Sequence, residues 1–170
     1  MKVRPVISII LGILIVIISI VVIYGYAIYN SSNTQTHMVS NSFFQVPEGW
    51  NSGWPVGGIP NPTTSFLYED TNLMLFIEQY PDEEDFNYSW GKHRPNSTHK
   101  IDISGINVTY IQDNVPNLQQ NVSNYIVSRY YFQKNGKYFL VQIGDNRKNK
   151  DYPDQKVIND AVKTVITTIN

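Results

Sequence analysis

The stretch Asn124–Gly144, NYIVSRYYFQKNGKYFLVQIG, decides how the folded part of this chain is read. Asn135-Gly136 between two aromatic-rich runs is the strongest short-range signal for a β-hairpin, because a two-residue type I′ turn needs positive φ at both central residues. With that turn, Phe132 faces Phe139, Tyr130 faces Val141 and Ser128 faces Ile143 across the two strands. These pairs share one face, while Arg129, Gln133 and Gln142 fall on the other, so one face is core.

The same period-two reading works outward from the hairpin. Ile101-Asp102-Ile103, a Ser104-Gly105 turn and Ile106-Asn107-Val108-Thr109-Tyr110 predict a second tight hairpin. Thr63–Tyr68 and Leu73–Tyr80 predict a third, joined at Glu69–Asn72. Ser42–Val46 reads as a strand stopped by Pro47. Asn51–Pro62, rich in proline and glycine, and Gln112–Asn121, polar and holding Pro116, read as loops. Pro81–Arg94 has room for one short helix. Ile158, Ala161, Val162, Val165 and Ile169 form an i, i+3, i+4 stripe and predict a terminal helix over Asp154–Ile169. Its β-branched residues are poor helix formers, so it depends on packing against the sheet. No internal repeat interrupts this order.

The N-terminal reading is of another kind. Val6–Ile28 is 23 residues without a charge, and at 1.5 Å per residue a helix over it would span about 34 Å. Lys2 and Arg4 precede it and no charge follows until Glu48. The expectation is a cytoplasmic N-terminus at residues 1–5, an uncleaved transmembrane helix over 6–28 contacting the lipid bilayer, a polar stalk over 29–37 and an extracytoplasmic domain over 38–170. Tyr24, Tyr26 and Tyr29 suit the far interface. A cleaved signal peptide fits less well, because its apolar run should be shorter and end in small residues. The expected fold class is α+β, a single transmembrane helix followed by an antiparallel sheet with the terminal helix on one face.

Composition sets limits on chemistry. The 170 residues carry 13 basic and 14 acidic side chains, so there is no electrostatic case for nucleic acid as a partner. Zero cysteines exclude disulfides, thiolate metal sites and cysteine nucleophiles. Eighteen asparagines and 21 isoleucines against two alanines favour strands and turns over helix. No G-x-S-x-G, H-E-x-x-H or phosphate-cradling loop occurs, so no catalytic residue and no cofactor is assigned.

The strand ending in Pro47-x-Gly49-Trp50, the Pro/Gly loop, the Ile101–Val108 strand pair, the aromatic Tyr130–Ile143 hairpin and the Val157–Ile169 helix together resemble the PsbP-like family. The resemblance covers most of Ser42–Asn170 and matches a membrane-anchored, archaeal-type member. It implies an antiparallel sheet flanked by helices, an α/β/α sandwich. It also implies a supporting role, since the photosynthetic members are extrinsic proteins that support the oxygen-evolving complex. The long basic N-terminal arm that accompanies photosystem docking has no counterpart here.

Candidate residues follow. The leading expectation is a non-catalytic binding or assembly module holding an envelope protein partner. Trp54, Tyr88, Trp90, Lys92 and Arg94 are the expected partner- or glycan-binding surface, since they sit in segments without strand alternation and combine aromatic area with charge. Trp50 reads as a core plug. The rival is a hydrolase or metal enzyme using His93, His99 and the acidic turn Asp82–Asp85, although these lack ligand spacing and read more simply as exposed groups, as does His37. Asn30, Asn87, Asn96, Asn107 and Asn121 head Asn-x-Ser/Thr sequons and are candidate glycosylation sites.

Overall fold

Two tight hairpins and a β-meander build one large sheet. The computed structural model describes residues 14–22, 34–53, 61–69, 71, 73–92, 98–117, 122–146 and 155–170. The chain divides into two compact units, Met1–Gln35 and Thr36–Asn170.

In the first unit, residues 14–22 form helix α1. Its side chains from Leu14 to Val22 are exposed, and Ser19 returns its hydroxyl to the Ile15 carbonyl at 2.9 Å. Among the described residues no helix is long and apolar enough to cross a membrane. This overturns the expected single-pass anchor over 6–28 and the membrane location built on it. The remainder of that apolar run lies outside the described residues.

The strands, all in the second unit except for the first two residues of β1, are β1 (Thr34–Val39), β2 (Ser42–Pro47), β3 (Trp50–Ser52), β4 (Thr63–Tyr68), β5 (Met74–Tyr80), β6 (Thr98–Ile103), β7 (Ile106–Asn117), β8 (Val122–Lys134) and β9 (Lys137–Asn146). Helix α2 (Glu83–Lys92) lies between β5 and β6, and α3 (Gln155–Thr168) follows β9. β1 and β2 pair by themselves. The other seven strands form an antiparallel sheet in the order β3-β4-β5-β9-β8-β7-β6. The α2 connection carries the chain from β5 to the far edge, and β6–β9 then meander back until β9 closes against β5.

The β8–β9 register places Phe132 against Phe139, Tyr130 against Val141 and Ser128 against Ile143, as the turn chemistry requires. Asn135 and Gly136 take φ of 51° and 75°. On that face Phe132, Phe139, Val141, Ile143, Leu75, Ile77, Phe66 and Val108 pack against Ile158, Ala161, Val162, Val165 and Ile169 of the terminal helix segment and against Phe44 and Val46 of β2. A smaller cluster of Tyr80, Ile111, Tyr131 and Leu140 lies on the other face under Phe86 of α2.

This architecture corrects the expected fold class. Among the described residues the chain is mostly strand with three helices, none of them long and apolar enough to cross a membrane, in place of a transmembrane helix followed by an α+β sandwich. Two segments account for much of the added strand. β1 begins at Thr34 inside the expected stalk, because the His37 ring packs edge-on against Phe66 at 4.5 Å and near Phe44 at 6.1 Å. β7 runs on to Asn117 through the expected loop, because β8 offers it a full hydrogen-bonding partner. The register shift between Val115 and Asn117 accommodates Pro116, which has no N–H to donate.

Pro47-x-Gly49-Trp50 has a packing explanation. Gly49 has φ of +89°, and a Cβ there would stand 2.8 Å from the Tyr68 ring. Trp50 is 1 % exposed, with its ring 5.2 Å from that of Tyr68.

Candidate functional site

Seven strands at about 4.8 Å spacing make a sheet roughly 29 Å wide, and one helix about 10 Å across cannot cover it. Above the core face, α3 and β2 lie side by side. At the β6–β7–β8 corner the sheet face reaches past α3, and a groove of about 500 Å³ opens there. Its floor is apolar: Ile101 and Ile103 from β6, Tyr110 from β7, Tyr130 from β8 and Val162 from α3. Its rim is polar, with Asp102 and Ser104 on the β6 side and Gln155, Asn159 and Lys163 along the helix.

Each position follows from local pattern. The period of two sends Ile101 and Ile103 to the core face, and the register sets Ile101 opposite Val108 and Ile103 opposite Ile106. Tyr110 and Tyr130 are cross-strand partners with ring centroids 5.0 Å apart, and His99 lies along Tyr110 at 6.3 Å. The Tyr110 hydroxyl lies 3.5 Å from Ser128 Oγ, which also accepts from Gln112 Nε2 at 3.3 Å. Burial, reinforced by Tyr110, pushes the Tyr130 phenol well above its ordinary range, so it stays protonated and can donate or accept. The Asp102 carboxylate accepts the Gly105 N–H at 3.0 Å and so helps to hold the turn.

Apolar walls with a few hydroxyl, carboxamide and charged groups suit the capture of a ligand with an apolar body and polar edges. The lining contains no histidine, and its titratable groups are Asp102, Lys163 and the two tyrosines.

None of the sequence-derived candidates that the structure describes lines this groove. Tyr88 is 63 % exposed on α2. Trp90 and Lys92 belong to the same helix, but their side chains lie outside the described residues, as do Trp54 and Arg94 altogether. Of that surface the structure therefore describes only the Tyr88 side chain. Asn87 on α2 and Asn107 on β7 are exposed, while Asn30, Asn96 and Asn121 lie outside the described residues.

His99 stands on the α3 side of the sheet, whereas α2 and its acidic start pack on the opposite side. His93 lies outside the described residues. The acidic turn has a structural role: Asp82 Oδ1 accepts the Asp85 N–H at 2.9 Å, and Glu83, Glu84 and Asp85 fill the first turn of α2. Among the described residues no group of three or more metal-binding side chains comes together. His37, expected as an exposed loop residue, has its Nε2 buried without a hydrogen-bond partner.

The α2 face carries a polar network. Arg129, 8 % exposed, pairs with Asp113 and donates from Nε to Gln142 Oε1 at 3.0 Å. The Tyr80 hydroxyl donates to Glu78 at 3.2 Å and shares a 2.6 Å hydrogen bond with Ser89. The Tyr80–Ser89 bond ties α2 to β5.

No known family profile matches the chain, and no curated protein matches it. Among solved structures, a crystal structure from Bacteroides thetaiotaomicron VPI-5482 at 1.50 Å resolution superposes with a TM-score of 0.53 and 12 % identity. The match covers 76 % of this chain and 44 % of that one, so this chain spans less than half of that protein's length. At that identity the likeness is one of fold alone.

Proposed function

We propose that the protein is a non-catalytic binding module that takes part of a partner protein into the groove at the β6–β7–β8 corner and so supports that partner's assembly. The observation that carries this reading is the groove itself: an apolar floor of two isoleucines, a valine and two neighbouring tyrosines, bounded by the polar side chains of Asp102, Ser104, Gln155, Asn159 and Lys163. Aromatic and aliphatic floors of this kind accept an anchoring side chain, and the polar rim then fixes its orientation. The resemblance of Pro47, Gly49, Trp50 and Ile101–Val108 to the PsbP-like pattern favours the same reading, because photosynthetic members of that family support another complex.

Photocrosslinking tests it. A photoreactive side chain at Asn159, on the groove rim, should capture one discrete protein in the native cells, and the adduct should vanish when Ile103→Asp puts a charge on the floor. The same probe at Gln133, exposed on the opposite sheet face, should capture nothing. Equal capture from both positions, or capture indifferent to Ile103→Asp, would sink the reading.

A further inference from the structure

Among the described residues β6 pairs with β7 and with nothing on its outer side. Its hairpin turn, Ser104-Gly105, has φ of 54° and 85°, a two-residue type I′ turn. In that geometry Ile103 and Ile106 are the first hydrogen-bonded pair. The antiparallel alternation then points the N–H and C=O groups of Ile103, Ile101 and His99 toward β7. It points those of Asp102, Lys100 and Thr98 away from the sheet. Thr98, Lys100 and Asp102 are exposed. This edge is a ready ladder for one more strand.

Charge and symmetry select which strand. We infer that the occupant is β6 of a second copy of this chain, paired antiparallel about a two-fold axis through Ile101. In that register Lys100 meets Asp102 of the second copy and Asp102 meets its Lys100. Both are outward-pointing residues, so the charged pairs coincide with the hydrogen-bonded pairs. A two-fold through Lys100 would set lysine against lysine, and one through Asp102 would set aspartate against aspartate, so charge excludes both. A lone lysine on an edge strand guards it against promiscuous pairing. With Asp102 two positions on, the same lysine accepts one partner in one register. Each side chain keeps capacity for the new contact. Lys100 Nζ uses one donor on Thr109 Oγ1, and Asp102 uses Oδ1 on Gly105.

The two-fold stands normal to the sheet, so the α3 faces of both copies lie on one side. Two seven-stranded sheets become continuous, and the isoleucines of the two β6 strands join the two grooves into one apolar band between two α3 helices. A six-residue edge buries well under about 1,000 Å² in total, so the pairing is weak, with a dissociation constant of roughly micromolar or above. This inference concerns the edge strand and stands independently of the proposed partner in the groove.

The chain has no cysteine, so Ile101→Cys supplies a unique reporter on the axis. A non-hydrogen-bonded antiparallel pair has Cα atoms about 4.5 Å apart, within disulfide reach. Mild oxidation of the full chain should therefore give a covalent dimer with Ile101→Cys and none with Asn107→Cys, exposed on the neighbouring strand. Sedimentation of cysteine-free chains provides a second readout. Lys100→Asp alone and Asp102→Lys alone should each weaken dimerisation about tenfold or more, and the double reversal should return it to within about threefold of the original. Recovery in the double variant separates the interface from the turn contact that Asp102→Lys also removes. Absence of crosslinking at Ile101→Cys, equal crosslinking at Asn107→Cys, an adduct containing a different protein, or a dimer indifferent to the single reversals would each overturn the inference.

Discussion

The Lys134 ammonium donates to the carbonyls of Thr167 at 2.6 Å and Ile166 at 3.2 Å. The residue that enters the β8–β9 turn thus closes the C-terminus of α3. Lys137, leaving the same turn, reaches Ser42 Oγ at 2.9 Å and the Asn170 carbonyl at 3.3 Å. A positive charge at a helix C-terminus satisfies carbonyls that have no partner within the helix and opposes its dipole. Partial burial lowers the Lys134 pKa from its ordinary value, the cost of this placement. Lys134→Met, which keeps the apolar stem, should cost about 1–2 kcal/mol in urea unfolding. An unchanged midpoint would mean that water serves these carbonyls equally well.

Phe139→Ala should be among the most damaging single changes. The ring is fully buried and stacks on Phe132 with centroids 5.4 Å apart. Loss of about 3–5 kcal/mol is expected from transfer and cavity terms together. Denaturant titration of the variant checks this, and a near-neutral result would contradict the assigned core face.

Gly49→Ala and Gly105→Ala should differ although both glycines have positive φ. At Gly105 nothing stands within 4 Å of an added methyl, so only the backbone conformation is penalised, at about 1–2 kcal/mol. At Gly49 the Tyr68 ring must also move, and Trp50 packs on that ring. Thermal unfolding should rank Gly49→Ala clearly below Gly105→Ala. The reverse order would mean that Tyr68 yields freely.

Stability should fall on acidification through His37. Burial lowers its pKa below the usual 6.5 in the folded state, so the unfolded chain binds the proton first. The contribution of the neutral ring is complete above pH 6.5 and is lost as pH falls from there toward the depressed folded value. Unfolding midpoints measured from about pH 8 down to about pH 5 should decline, and His37→Phe should flatten the part that this residue contributes. A variant with the original slope would assign the effect elsewhere.

Much of the sheet was legible because its information is local. Asn135-Gly136 and Ser104-Gly105 announce their turns through residues that tolerate positive φ, and alternation then assigns each side chain to a face. The stripe from Ile158 to Ile169 announces α3 in the same way. Local pattern misled where a partner from far along the chain overrides propensity. The polar segment from Thr34 becomes strand against β2, and Gln112–Asn117 becomes strand against β8. The long apolar run near the N-terminus announced a span, yet among the described residues no helix is long and apolar enough to cross a membrane.

The groove has no signature in the one-dimensional pattern. Ile101, Tyr110, Tyr130 and Val162 come from four elements, and each reads as an ordinary core position. Whether such a residue is covered depends on how many strands share the sheet and where the single helix lies across them. The hydrophobic period of a strand records which way a side chain points and carries no record of what stands above it. The open edge of β6 has the same origin. Its sequence sets Lys100 and Asp102 two residues apart, but only the strand order, with the α2 crossover carrying the chain to the far side, makes that strand an edge.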